Sequence, residues 1–142
     1  TYLNYISIKK RDGEYLSWSG SNQKQYSLLN FWASWNPESL NRKDSLYALC
    51  QTTLKKDLRV VNFSLDYQKT EWLDHTEKDS EQWIEVCDYK GWDNPIIKQL
   101  QVHDLPFNVL IDRNRKILGC NLYGNELKDK LEALAAEDKK TK

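Results

Sequence analysis

Methionine is absent from the 142 residues, only five glycines and three prolines punctuate them, and no apolar run approaches the length of a bilayer crossing. No membrane span is therefore expected. The opening Thr-Tyr-Leu-Asn-Tyr-Ile does not form a signal peptide, and the lack of an initiator methionine points to a processed or trimmed chain, with any targeting segment or anchor upstream and out of view. An excess of one charge is missing as well: 21 Lys and Arg balance 21 Asp and Glu. Without a basic stripe to track phosphates, nucleic acid is not an expected partner. Histidine is scarce, and neither His75 nor His103 has a second ligand close in sequence. No Gly-rich phosphate loop or Ser-His-Asp order is present, so neither a metal nor another cofactor is expected.

The three cysteines, Cys50, Cys87 and Cys120, lie 37 and 33 residues apart. That is not a zinc spacing, and an odd number cannot close a disulfide framework. Two readings stay open: three small buried hydrophobes, or one bridge and a free thiol.

What the chain does have is aromatic bulk. Six Trp, eight Tyr and three Phe supply apolar area that the mean hydropathy of −0.80 conceals. A single domain over 1–142 of this size buries about two-thirds of the surface its unfolded form exposes, so a core forms without staples. The tail from about residue 137 is expected to fray.

The stretch 5–19, "YISIKKRDGEYLSWS", reads as an N-terminal hairpin with its turn at Asp12-Gly13. The nearly continuous apolar run 26–33 suits a central strand covered on both faces. A helix is expected from Pro37 to about Asp57, with Leu40, Tyr47, Cys50 and Leu54 near one face and Leu46 and Leu49 widening the stripe. Strand 58–66 follows, then a polar helix anchored by Trp72 and Leu73 within "KTEWLDHTEKDSEQW", and strand 83–88. Asp93 or Asn94 then caps a short helix that has Pro95 near its first position. Two extended runs, 107–111 and 116–123, are joined by "DRNR", and an amphipathic helix carries Leu127, Leu131 and Leu134. The order implies an α/β domain with parallel crossovers and an antiparallel edge.

"LLNFWASWNPES", residues 28–39, resembles the active-site segment of thioredoxin-like proteins, whose pattern runs Phe-Trp-Ala-x-Trp-Cys-x-x-Cys. The likeness is closest to the extracytoplasmic TlpA and ResA type of thiol-disulfide oxidoreductase. It extends over nearly the whole chain, through "VVNFSLD", "LPFNVLID", "RNRKIL" and "GNELKDKLEAL". It implies a thioredoxin-like fold, a central mixed β-sheet flanked by helices, with an extra N-terminal hairpin. It also implies an extracytoplasmic site of action, periplasmic or membrane-anchored, and protein or extended-peptide partners.

By the same resemblance Asn36 stands at the nucleophilic cysteine and Ser39 at the resolving one. Disulfide exchange needs a thiolate and a second thiol to release the mixed disulfide, and neither a carboxamide nor a serine hydroxyl replaces them. Arg42 stands where the ResA type often has a carboxylate, and Asp44 sits near the place of its helix-kinking proline. The helix start nevertheless remains well formed: Asn36 is a strong N-cap, Pro37 occupies the first helical position, and Glu38 places negative charge at the positive end of the dipole. Leu105-Pro106 resembles the family's cis-proline loop, which implies a shallow groove rimmed by Trp35, Asn36, Leu105 and Pro106. The alternative is that Trp35 and Leu105 merely cap the core.

Two functions from different classes follow. One is a thioredoxin-like domain without dithiol activity, acting as a protein- or peptide-binding or assembly module. The other is a thiol-disulfide oxidoreductase that uses a non-standard thiol, such as a Cys87 exposed in the loop after a strand. A purely structural domain appended to an anchored protein is a third.

Overall fold

A computed structural model describes residues 1–18, 26–52 and 58–140. Within these, the elements are β1 (Tyr26–Trp32), α1 (Pro37–Thr52), β2 (Leu58–Ser64), α2 (Lys69–Asp74), β3 (Trp83–Cys87), a 3₁₀ turn (Gly91–Asp93), α3 (Pro95–Leu100), β4 (Phe107–Asp112), β5 (Ile117–Cys120) and α4 (Gly124–Lys140). The sheet order is β3-β2-β1-β4-β5. β1, β2 and β3 run parallel, while β4 is antiparallel to β1 and β5 to β4. This is the mixed sheet that the alternation of strand and helix patterns implied.

β1 is central, and all seven of its residues are buried, as an apolar run without alternation requires. Because successive side chains point to opposite faces, Leu29, Phe31 and Ala33 share one face with Val61, Phe63, Val109 and Ile111. Ile96 and Ile97 of α3 cover that face, together with Leu3, Ile8, Leu16 and Trp18 of the N-terminal segment. Phe31 is its centre, 5.3 Å from the Phe63 ring and 6.0 Å from Phe107. On the other face Tyr26, Leu28 and Leu110 pack with Leu46 and Cys50 of α1 and Leu127 of α4.

Three local expectations are adjusted. The N-terminal hairpin is a turn closed by a single Lys9–Tyr15 bridge, with Gly13 at φ 92°. Its arms are short because Lys10 bridges Val86 and Arg11 N–H donates to the Glu85 carbonyl, so part of the backbone pairs with β3 instead. The helix after Lys69 stops at Asp74, because the polar residues beyond it serve as a loop: Glu77 N–H donates to the Glu85 carboxylate and Glu85 N–H to Asp79. β5 ends at Cys120 rather than 123. Asn121 enters the left-handed region (φ 53°), and the Asn108 side chain captures both backbone groups of Leu122, at 2.7 and 2.9 Å.

In α1 the buried stripe is Ser39, Lys43, Leu46 and Cys50, while Tyr47 is exposed and Leu40 half-buried. The stripe turns on a lysine. Leu54 lies outside the described residues. α4 continues to Lys140, past the point near 137 where fraying was expected, and residues 141 and 142 are likewise outside.

Lys43 lies there because the sheet presents a polar row to it. Strand register aligns Asn108, Asn30, Asn62 and Glu85 across four neighbouring strands, and all four are buried. Asn30 donates to Asn62 at 3.0 Å. Lys43 Nζ meets the Glu85 carboxylate at 3.0 Å, donates to the His75 carbonyl at 2.7 Å and sits 3.8 Å from the centre of the Trp32 ring. Burial pushes the Glu85 carboxyl up to about 7, outweighing Lys43, and pulls the Lys43 ammonium down for the same reason.

A carboxyl whose folded pKa is raised above its ordinary 4.5 contributes stability that is full below pH 4.5 and is lost as pH rises through about 7. Chemical denaturation of the wild type and Glu85→Gln across pH 4 to 8 is expected to show the variant gaining, relative to wild type, on the order of 3 kcal/mol over that window. A pH-independent difference between the two would show that Glu85 does not titrate there.

Candidate functional site

The carboxyl ends of β1, β2 and β3 lie on one edge of the sheet, with Trp32, Ser64 and Cys87 level with each other. From that edge the chain leaves β1 and enters α1 within four residues. Asn36 is the N-cap: its side-chain oxygen accepts from Ser39 N–H at 2.8 Å, and its carbonyl accepts from Leu40 N–H at 3.1 Å. Asn36 N–H itself donates to the Ala33 carbonyl at 3.1 Å, which folds the turn back on the strand.

Ser39 is 1% exposed. Its hydroxyl donates to the Asn36 carbonyl at 2.9 Å and accepts from Ala33 N–H at 3.2 Å. Both positions that resemble thiol positions thus hold polar groups engaged in holding the turn. Neither is a thiol.

The turn has a second support that the sequence reading missed. Asp66, fully buried two residues after β2, accepts from Ser34 N–H at 3.0 Å and from the Ser34 hydroxyl at 2.7 Å through one carboxylate oxygen. The other oxygen accepts from the Ser64 hydroxyl at 2.7 Å. An acid closing an apolar strand, "VVNFSLD", was the available signal, because a carboxylate there must find buried donors.

Trp35 is 48% exposed, whereas Leu105 is in the core at 8%. The two are therefore not a common cap. The Leu105–Pro106 peptide is cis. Phe31 pairs with Phe107, so extending that antiparallel register sets Pro106 level with Trp32 and Leu105 level with Ala33, beside the turn that leads to Asn36. Trp92, on the 3₁₀ turn, brings its ring to 6.5 Å from Trp35, a neighbour that sequence distance concealed. Tyr67 lies over Gly91 so closely that a Cβ there would fall 2.2 Å from its ring. Arg42 is exposed and stacks over Tyr123, with its guanidinium 4.4 Å from the ring centre.

All three cysteines are free. Cys50 and Cys87 are buried and Cys120 is exposed, so the bridge is ruled out and the all-buried reading holds for two of three. The expectation of an exposed Cys87 is corrected. It is the last residue of β3, 5% exposed, and its thiol donates to the Asp66 carbonyl at 3.4 Å. Burial pushes that thiol up to about 11 and Cys50 up to about 12, opposite to the direction a nucleophile needs. Among the described residues there is no group of three or more His, Cys, Asp or Glu that could hold a metal, and no helix long and apolar enough to cross a membrane.

A sheet of this order, entered through a capped turn at the end of its central strand and a cis-proline on the neighbouring strand, defines a thioredoxin-like fold. The family model described as thioredoxin-like matches residues 23–117, and the chain belongs to that family. No curated protein sequence matches it. Among solved structures, it is similar to the C-terminal domain of a protein described as a thiol-disulfide oxidoreductase from Bacteroides thetaiotaomicron, at 34% identity and a TM-score of 0.82 over 96% of this chain and 95% of that one. A thiol-disulfide oxidoreductase from Bacteroides fragilis shares 33% identity, with a TM-score of 0.75 over 94% and 99% of the two chains. StoA from Bacillus subtilis has the same fold at 20% identity, with a TM-score of 0.62 over 89% and 95%.

Two measurements check this geometry. Asn36→Ala is expected to lower the unfolding free energy by about 1 kcal/mol in denaturant titrations, and Asn36→Asp to lower it much less, because aspartate also caps. Iodoacetamide labelling of the native chain is expected to modify one thiol quickly, and Cys120→Ser to abolish that phase; a fast phase surviving in Cys120→Ser would place a reactive thiol at Cys50 or Cys87.

Proposed function

We propose that this chain is a thioredoxin-like domain that has given up dithiol exchange and acts as a protein- or peptide-binding or assembly module. The observation that carries the reading is the pair Asn36 and Ser39. Each side chain completes the hydrogen bonding of the α1 entry, and neither can form a mixed disulfide. The groove is rimmed by Trp35, Asn36, Leu105 and Pro106, and the half-exposed Trp35 ring offers an anchor for an apolar side chain. Its occupant is an extended polypeptide. The two Bacteroides relatives are named for disulfide exchange, a reaction of protein substrates, and likeness to them supports the same partner class for this domain. The same likeness supports an extracytoplasmic setting, periplasmic or tethered to a membrane by a segment upstream.

The competing reading is exchange through Cys87. One observation favours it: the thiol lies in the wall of an open cavity. Its burial and its pKa, pushed up to about 11, oppose it.

Reduction of insulin by dithiothreitol separates the two. The native chain is expected to leave the rate at background, whereas Asn36→Cys with Ser39→Cys is expected to accelerate it severalfold. Catalysis by the native chain that disappears in Cys87→Ser would overturn the proposal in favour of the competing reading.

A further inference from the structure

A cavity of about 510 Å³ opens beside the carboxyl end of β3, on the same edge of the sheet as Asn36 but two strands away, roughly 10 Å along the edge. Its size is that of a small-molecule site, and the carboxyl edge of parallel strands is where such sites form in open α/β sheets. The N-terminal turn makes one wall, and the start of α2 together with residues 87–89 makes the other.

The lining is strongly biased in charge. Lys9, Lys10, Arg11 and Lys69 contribute to it, and Asp88 is the one carboxylate among the lining residues. Asp88 is already engaged, accepting from the Lys90 N–H at 3.0 Å and from the Asn94 amide. Lys10 is paired with Asp12 at 3.3 Å, and Arg11 donates to the Thr76 hydroxyl at 2.9 Å. Lys9 and Lys69, both in the lining, have no carboxylate within ion-pair distance among the described residues, and the Lys9 ammonium lies 5.5 Å from the centre of the Tyr15 ring.

Between the cations stand rings. Tyr15, Trp72 and Tyr89 line the same cavity, and Tyr89 meets Trp72 edge-on with ring centres 5.9 Å apart. Tyr89 has φ 60°, a left-handed conformation that is uncommon for a bulky aromatic residue and that clusters at ligand sites. The turn opposite is held rather than loose. Arg11 N–H donates to the Glu85 carbonyl at 2.9 Å, and Asp12 N–H donates to Asp79 at 2.9 Å. The walls are set before a ligand arrives, which lowers the cost of binding.

We infer that this cavity binds a small organic anion bearing a planar ring, a carboxylate or phosphate on an aromatic frame. The anionic group sits between Lys9 and Lys69 and the ring lies against Tyr15, Trp72 or Tyr89. The site is separate from the groove at Asn36, and its occupancy does not depend on the function proposed there.

The test is NMR titration of the ¹⁵N-labelled chain with phenyl phosphate and with benzoate, beside benzyl alcohol, inorganic phosphate and an acidic decapeptide. Saturable shifts are expected at the Lys69 and Tyr89 amides and the Trp72 indole with at least one aromatic anion. Inorganic phosphate is expected to bind more weakly, and benzyl alcohol to leave the spectrum unchanged. Lys9→Ala with Lys69→Ala is expected to raise the dissociation constant about tenfold or more, with an unchanged melting temperature because both side chains are exposed. The inference is overturned by no saturation with either aromatic anion, by equal binding of benzyl alcohol or of inorganic phosphate, by binding of the peptide alone, or by full affinity in the folded double variant.

Discussion

An ammonium and a carboxylate, Lys43 and Glu85, meet in the space between a helix and a sheet, and the geometry of this edge of the molecule depends on that contact. Two charges removed from water are tolerated only when their remaining hydrogen-bonding capacity is met. Here that capacity is met for Lys43, which also reaches the His75 carbonyl and the face of Trp32, and for Glu85 Oε2, which also receives Glu77 N–H and the Trp83 indole, whereas the buried Glu85 Oε1 has no hydrogen-bond partner among the described residues. One pair therefore couples α1, the end of α2, the loop after it and the edge strand β3. It also sets the rotation of α1. With Lys43 facing inward, Ser39 one turn earlier must face inward too, and its hydroxyl lands where the Ala33 and Asn36 backbone can use it.

The turn at Asn36 is best understood as a hydrogen-bond problem solved largely by side chains. Helix entry leaves backbone N–H groups without intrahelical partners, and the bend out of β1 leaves others. Asn36 and Ser39 meet them from within the turn, and Asp66 meets the Ser34 donors from the neighbouring strand. The shape of the turn rests on the side-chain hydrogen bonds of Asn36 and Ser39. The cap needs a side-chain acceptor at 36 and a small, buried polar group at 39.

The elements legible in the sequence were those fixed by local pattern. β1, a nearly continuous apolar run, and α3, with Asp93 or Asn94 to cap it and Pro95 at its first position, needed no tertiary information, and the structure makes Asn94 the cap. What escaped were features created by long-range pairing. The row of Asn108, Asn30, Asn62 and Glu85 comes from four separate strands, and no single window contains it. Lys43 went unmarked in the inward stripe of α1 because hydrophobic periodicity has no way to signal a lysine whose partner is 42 residues away. The shortening of β5 depended on the Asn108 side chain acting as a substitute backbone partner. At the site, the capped turn could be read from 36 to 39, and an acid closing an apolar strand was the one signal for Asp66, but its Ser34 partner and the approach of Trp92 to Trp35 come from the fold.

Gly91 shows where such a molecule is free to drift and where it is not. Its Cα lies under the Tyr67 ring, with no room for a β-carbon, and its φ of 57° is one that L side chains rarely adopt. Any mutational step at 91 must displace an aromatic ring and strain the backbone together, whereas a step at 36 forfeits a cap that another side-chain acceptor restores. A position defined by having no side chain is thus harder to replace than one defined by the hydrogen bond its side chain makes.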